Sequence, residues 1–540
     1  MIEKGCNVAT LTYHRKKNGT TYVYRQESYW DKSKKHSYNR QVCLGKLGDN
    51  GEVLYNKRFS DTRSREALEK GEMVSESVVT GQSLVLSKVA EETGLGRVLR
   101  KSFGPDVANK LMSLAYAVVA AGGTMCSASA WIEDNDCPAH TTLPTSQGIS
   151  KCLASVTHSQ QEDFLCAWMK HRDKGSHEQY CFDITSVSSH NLSNPFVEWG
   201  HNRDCERMAQ INLALLTSVS NRIPTYYEVL PGSMSDVKAM KAFCERMHKY
   251  GISKIRMLLD RGFYSWSNLE LLLGEHLGFY IPMPSNIKLA QKLIDQYRDE
   301  VEMPEHIISI TDDQKDAVYG MTILSKVGEH RVWQHVYYDT ARRTEHILSL
   351  FANLAAWEDE LVSGNLKDEN QWAYDTYFSI KKTPKRGRKV TRNQDAINVY
   401  KKDRAGYWVI ITNCEKRASA ALETYRERSL VEQSFDDLKN ELDMKRLRTH
   451  NSDTMRGRVL VQFLALILTA QIRTTLDSAW VRRADFPKDD KLSRRYSLRE
   501  VMTRLGSYRR TIFSGRYGEV VSTPTKFQRE IFTAFGLGIR

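Results

Sequence analysis

No CxxC pair occurs among the ten cysteines of this 540-residue chain, which stand singly at Cys6, Cys43, Cys126, Cys137, Cys152, Cys166, Cys181, Cys205, Cys244 and Cys414. That spacing argues against a thiolate zinc site or a thioredoxin-like motif, and the density is low for a disulfide scaffold. Free thiols in a reducing cytoplasm are the expectation. The opening MIEKGCNVAT has no apolar secretion segment. Twelve prolines and 31 glycines are too few for a collagen-like or low-complexity chain. The longest apolar stretch, Val459 to Ile472, is 472 − 459 + 1 = 14 residues, short of the roughly 18 that span a bilayer. A buried helix is expected there, and no membrane partner. None of the 15 histidines pairs with Cys or Glu at zinc spacing, so His171, His177, His190 and His201 read as helix-surface or loop residues. No repeat of twenty to fifty residues is visible.

Basic charge is in surplus: 78 Lys+Arg against 65 Asp+Glu leave a formal +13. Such a surplus favours a polyanionic partner through counterion release, although many basic proteins bind no nucleic acid. Hydrophobic residues at 41% supply real cores and exclude wholesale disorder. At about 100–200 residues per domain, three or four folding units are expected.

Residues 1–60 read as a small β-rich module. Its Lys16, Lys17, Arg25, Lys32, Lys34 and Lys35 suit either DNA contact or a charged edge that resists aggregation. Residues 61–177 show helical periodicity, a domain for DNA or self-association. From 178 to 285 come five strand-like runs, QYCFDITSVSS, INLALLTSV, IPTYYEVL, KIRMLLDRGFY and FYIPMP, with two helical runs between the last three. The order β-β-β-α-β-α-β predicts an α/β core: a mixed five-stranded sheet, a meander followed by parallel strands with crossover helices. Residues 286–404 interrupt it with a β-containing insertion (AVYGMTIL, HRVWQHVYYD), a helix over Ala341 to Leu361, and a basic loop, KKTPKRGRKVTR, from Lys381 to Arg392. The core resumes over 405–475 with the strand GYWVIITN, a long helix through ASAALETYRERSLVEQSFDDLKNEL, and the apolar helix. A basic region, 476–540, carries Arg482, Arg483, Arg494, Arg495, Arg509 and Arg510.

Asp183 stands mid-strand in YCFDITSV, and Asp260 ends KIRMLLD before a Gly turn. A carboxylate on a sheet costs several kcal/mol if buried unpaired, so it needs a cation or a metal. On neighbouring strands the two would converge, and with a third carboxylate they would suit Mg²⁺ or Mn²⁺. An Asp at a strand end is equally a turn former. On the long helix, Tyr425, Arg428, Glu432 and Lys439 are spaced by 3, 4 and 7 and share one stripe. A carboxylate flanked by cations fits phosphate handling, while an i,i+4 ion pair on a solvated face fits the same spacing. Glu423, Glu427, Asp436, Asp437 and Glu441 crowd the helix, and Asp436 lies on the stripe, so composition does not single out Glu432.

The pattern Y-x2-R-x3-E-x6-K formed by Tyr425, Arg428, Glu432 and Lys439 resembles the Tyr-Arg-Glu-Lys signature of DDE insertion-sequence transposases. Asp183 in FDITSV and Asp260 in LLDRGFYS look like that group's two aspartates, and PGSMSD (Pro231 to Asp236) resembles its PGN-x-SD element, with Ser233 where Asn is usual. The similarity is firm from about Gln179 to Ile472. It implies a ribonuclease-H-like core with an insertion before the Glu-bearing helix; the gaps, 260 − 183 = 77 and 432 − 260 = 172 residues, leave room for one. It further implies a catalytic and metal-binding set of Asp183, Asp260 and Glu432 holding two Mg²⁺ ions, with Mn²⁺ as a substitute. Cleavage at transposon ends and transfer of a 3′-hydroxyl into target DNA would follow. Tyr425, Arg428 and Lys439 would grip phosphates; Trp333 is a candidate to stack on a displaced base, although a core or surface role is the stronger expectation for it. Lys385, Arg386 and Arg388 in the basic run would contact the DNA backbone or belong to a solvated linker. The implied partners are double-stranded DNA (end repeats and target) and a second copy in a homodimer that pairs two ends, in the bacterial cytoplasm at the nucleoid. Two rivals remain: a nuclease on the same core that cuts without joining, and an inert transposase-derived DNA-binding protein, against which the intact acidic triad speaks.

Overall fold

The computed structural model describes residues 10–16, 19–31, 36–48, 51, 53–55, 75–122, 125–140, 145–172, 178–252, 254–311, 315–383, 387–449, 451–481, 497–513 and 519–539. Lys17, Lys32, Lys34, Lys35, His177, Arg482, Arg483, Arg494 and Arg495 lie outside them. The chain divides into two units, 1–81 with 506–525, and 82–505 with 526–540.

In the first unit, Thr10–Arg15, Thr21–Asp31, His36–Leu47 and Val53–Tyr55 form an antiparallel meander, as the alternation of aromatic and β-branched residues predicts. A second sheet runs Glu519–Val521, Arg509–Phe513, Ser75–Val79. Two expectations change here. Residues 506–525 of the basic C-terminal region belong to this unit, and the stretch from 61 contributes a strand before its helices begin at Gly81–Glu92.

The second unit is built on one sheet of nine strands: β1 (Gln179–Ser188), β2 (Gln210–Ser218), β3 (Pro224–Pro231), β4 (Arg256–Leu259), β5 (Gly278–Pro282), β6 (Ile307–Ile310), β7 (Ala317–Val327), β8 (His330–Asp339) and β9 (Tyr407–Thr412). Their order is β6-β7-β8-β9-β5-β4-β1-β2-β3. β1, β2 and β3 form the antiparallel meander, β4 runs parallel to β1, and β5 runs parallel to β4. The crossovers are helices α1 (Asp236–Lys249) and α2 (Trp266–Gly274). The sheet does not stop at five strands. β9 pairs antiparallel with both β5 and β8, which carries the insertion's strands into the same sheet. The reason lies in YWVIIT, which is apolar at nearly every position and buried almost throughout. A strand apolar on both faces needs neighbours and covering layers on every side.

The rest of the insertion packs around its own small core, with Leu350, Leu354, Trp357, Tyr374, Tyr377 and Ile397 buried together. The basic run is a two-stranded hairpin, Phe378–Thr383 with Gly387–Arg392, rather than a loop. Lys385 and Arg386 lie outside the described residues, and Arg388 sits in the second strand opposite Lys382.

Three helices complete the core. α3 (Ala418–Arg426) and α4 (Ser429–Asp436) follow β9, and α5 (Ser452–Val481) is 30 residues long. By length and composition part of α5 could cross a membrane, yet 72% of its most apolar window is buried inside the protein. VLVQFLALILTAQI is apolar all round, which suits a helix enclosed on every side. α5 packs on the helices Pro105–Ala121 and Ser146–Ala154 and on β3, so the helical region and the sheet share one unit. At Gly457 the backbones nearly touch: a Cβ there would come within 2.2 Å of the Leu153 carbonyl oxygen.

Candidate active site

Phe182 of β1 pairs with Leu259 of β4 in parallel register, so the next residues are neighbours, Asp183 within β1 and Asp260 just past the end of β4. The Ile184 N–H donates to Asp183 Oδ1 at 2.7 Å. Burial pushes the Asp183 carboxyl up to about 6; Arg203, the Ile184 N–H and Arg428 pull it down, and the Asp260 charge pushes it up again. The Asp260 side chain makes no hydrogen bond or ion pair among the described residues, although its charge is felt at Asp183, Tyr425 and Arg428.

The third carboxylate arrives on a helix that is not continuous. ASAALETYRERSLVEQSFDDLKNEL contains no Gly or Pro, and a single helix is the natural expectation. Instead, α3 ends at Arg426 and the chain tightens, with the Arg428 N–H donating to the Tyr425 carbonyl and the Val431 N–H to the Arg428 carbonyl. α4 then runs into a π-turn, Asp437–Glu441, closed by the Leu442 N–H on the Asp437 carbonyl at 2.9 Å. Such changes of winding cluster at functional sites. They keep Tyr425, Arg428 and Glu432 together and displace Lys439 from the uniform stripe.

Arg428 is the centre of the group. Its Nη1 lies 3.3 Å from Asp183 Oδ2, and its Nη2 ion-pairs with Glu432. Burial works against the guanidinium charge, but Tyr425, Asp260, Glu432 and Asp183 hold it firmly protonated. Burial raises the Tyr425 phenol far above its ordinary value, although the hydrogen-bonded Arg428 favours the ionised form. Lys439, expected to hold DNA, has its Nζ 2.7 and 2.8 Å from the Asp204 oxygens.

Position separates the acidic residues of the helix. Glu432 faces Arg428, Asp436 accepts from Asn440 at 2.6 Å, and Asp437 is buried 2.6 Å from Arg473 of α5. Burial pushes Asp437 up to about 6. In PGSMSD, the Ser233 N–H and hydroxyl both donate to Glu198, and Asp236 binds Arg203. Trp333 is half-buried in β8, with Thr412 and Leu324 opposite it on the flanking strands.

Sequence reading passed over Arg203 and Asp204. Both lie on residues 189–209, a connection of 209 − 189 + 1 = 21 residues between meander strands that a short turn could join. That excess length was the available signal.

Asp183, Asp260 and Glu432 thus approach one guanidinium rather than one point. Among the described residues no three His, Cys, Asp or Glu side chains are arranged to hold a metal ion, because Arg428 stands between Asp183 and Glu432.

Residues 174–468, more than half of the chain, match the family described as "Transposase DDE domain". No curated protein matches the chain. Among solved structures, the cryo-EM structure of a piggyBac transposase synaptic complex with hairpin DNA is similar at 10% identity and a TM-score of 0.35, covering 66% of this chain. The match spans 56% of that chain's length. Asp183, Asp260, Tyr425, Arg428, Glu432 and Lys439 all fall inside the family match. The chain belongs to the DDE transposase family.

Proposed function

We propose that this protein cuts double-stranded DNA at the ends of a mobile element and joins the freed 3′-hydroxyls to target DNA, on a ribonuclease-H-like core formed by β1 to β5. The observation that carries this reading is the gathering of Asp183, Asp260 and Glu432, 77 and 172 residues apart, about Arg428 where β1 and β4 lie side by side within the sheet.

The donor set suits Mg²⁺, with Mn²⁺ as a substitute. It is oxygen-only, the Asp260 carboxylate has no hydrogen-bond partner among the described residues, and the Asp183 charge is destabilised by burial. Asp183, Asp260 and Glu432 would hold two such ions. Such ions would supply activation of water or a 3′-hydroxyl and stabilisation of the leaving oxygen.

The chain's own residues prepare that chemistry. Glu432 is paired with Arg428 and its side chain is exposed, so it is free to turn toward the aspartates. Arg428, released from Glu432 and held by Tyr425, then receives a phosphate. Lys439 does the same once a phosphate displaces Asp204. The +13 surplus draws the duplex in, and Lys385, Arg386 and Arg388 of the basic run add contacts to the DNA backbone. A homodimer pairs two ends, in the bacterial cytoplasm where the DNA lies.

The test is cutting and strand transfer on duplexes carrying candidate end sequences. Mg²⁺ should support both, and EDTA should abolish both. Glu432→Gln keeps shape and removes charge, so it should stop cutting and leave DNA binding. Normal cutting by Glu432→Gln together with loss in Asp436→Asn would reject Glu432 as third ligand. Cutting without joining would indicate a nuclease, and binding without cutting an inert descendant.

A further inference from the structure

Arg203 approaches Asp183 at the oxygen that Arg428 leaves open: its Nη1 is 4.0 Å from Oδ1, against 3.3 Å from Arg428 to Oδ2. Its position is firmly set. The Arg203 N–H donates to Ser186 Oγ at 2.9 Å, which anchors the 189–209 connection to β1. Its Nη2 donates to both Asp236 oxygens, at 2.8 and 3.0 Å. Asp236 in turn lies against Gly262, where a Cβ would meet its Oδ2 at 2.8 Å. Asp236 opens α1 and Gly262 follows Asp260 by two residues, so this carboxylate joins the turn beyond one aspartate to the cation beside the other.

At 4.0 Å, Nη1 is beyond hydrogen-bonding distance of Asp183, and it has no other acceptor among the described residues. A guanidinium that served only to neutralise Asp183 would close that gap, since charge-assisted bonds form at about 2.7–2.9 Å. Asp236 holds it back. One arm is therefore committed to a carboxylate, and the other, on a side chain 31% exposed, has no protein acceptor among the described residues and is open to a ligand beside Asp183. That is a preorganised oxyanion contact.

We infer that Arg203 is a further substrate-contacting residue, whose Nη1 takes a non-bridging oxygen of the DNA phosphate at Asp183 and Asp260, and that Asp236 is its positioning residue, keeping the guanidinium off Asp183. The inference rests on the phosphodiester chemistry proposed for these carboxylates. It also explains the PGSMSD element, which supplies the acid that aims Arg203.

The experiment uses the full chain. Mn²⁺ binding is followed by calorimetry without DNA. Duplexes taken from either side of the coding sequence then serve for salt-dependent binding in Ca²⁺ and for cutting in Mg²⁺. Arg203→Ala should lower the slope of log affinity against log salt by about 0.9 and slow cutting roughly 100-fold, with Mn²⁺ affinity undiminished. Arg203→Lys, a conservative check on folding, should restore the slope but only part of the rate. Asp236→Asn frees the guanidinium to reach Asp183, so Mn²⁺ should bind about tenfold more weakly, and the double variant Arg203→Ala/Asp236→Asn should bind it as the wild type does. Wild-type cutting by Arg203→Ala, wild-type Mn²⁺ affinity in Asp236→Asn, or no recovery in the double variant would each overturn the inference. A wild type that binds Mn²⁺ but cuts neither duplex counts against the transposase reading, and the Mn²⁺ comparison still judges Asp236 and Arg203. A wild type that binds no Mn²⁺ overturns both.

Discussion

In metal-free buffer at pH 7.5, replacing Asp183 by Asn should make the protein more stable while removing its activity. The Asp183 carboxyl sits at about 6 in the fold against an ordinary 3.8. The folded form therefore holds the proton more tightly than the unfolded chain does. Stability from this site is complete below about pH 3.8 and is lost as the pH rises through 6. The loss at pH 7.5 is (6 − 3.8) × 1.36, or about 3 kcal/mol. Asparagine has the same shape and no charge to desolvate. That figure already nets the attraction of Arg203 and Arg428 against burial. A gain of up to about 3 kcal/mol is expected, or several °C in the transition of the unit that contains the site. Scanning calorimetry with EDTA from pH 4 to 8 measures it. The gap between variant and wild type should halve by about pH 5 and nearly vanish at pH 4. Saturating Mn²⁺ at pH 7.5 should reverse the order by stabilising only the wild type. An Asn variant less stable than wild type at pH 7.5, or a gap that ignores pH, would refute the view that Asp183 is a strained carboxylate awaiting a cation.

Two further outcomes test the scaffold. Arg473→Ala leaves Asp437, only 3% exposed, without its partner; melts should show a loss of about 3–5 kcal/mol at pH 7.5. That loss should shrink toward pH 4, because Asp437 sits at about 6 and is neutralised in the fold before the unfolded chain takes up its proton. Gly457→Ala puts a Cβ 2.2 Å from the Leu153 carbonyl oxygen and 2.6 Å from its Cα. Two helix backbones must separate, and a cost of about 1–3 kcal/mol in urea unfolding is expected.

The meander and the crossovers of the core were legible because they depend on local properties. Strand runs such as INLALLTSV end at turn residues, and a helix-length connection demands parallel strands. The insertion's join to the sheet was not legible, because the two partners of β9 lie far away in sequence. The Lys381 to Arg392 run reads as a loop from its Pro, Gly and charge, yet its backbone finds a partner in itself. The helical stripe was half legible. Tyr425, Arg428 and Glu432 do meet, but the tight turn before α4 and the π-turn after it are set by what the helix packs on, including the burial of Asp437 against Arg473. A regular 3.6-residue repeat contains neither.

Sequence alone determined that Asp183 sits on a strand where a carboxylate is costly, that Asp260 closes another apolar run, and that a helix rich in acids and cations follows, since alternation, turn residues and spacing are properties of neighbouring residues. Tertiary structure alone decided which cations face them. Arg428 reaches Asp183 from 245 positions away, Lys439 is taken by Asp204, and Arg203 is aimed by Asp236. Charge at close range acts through space, and the fold brings together groups that the chain holds apart.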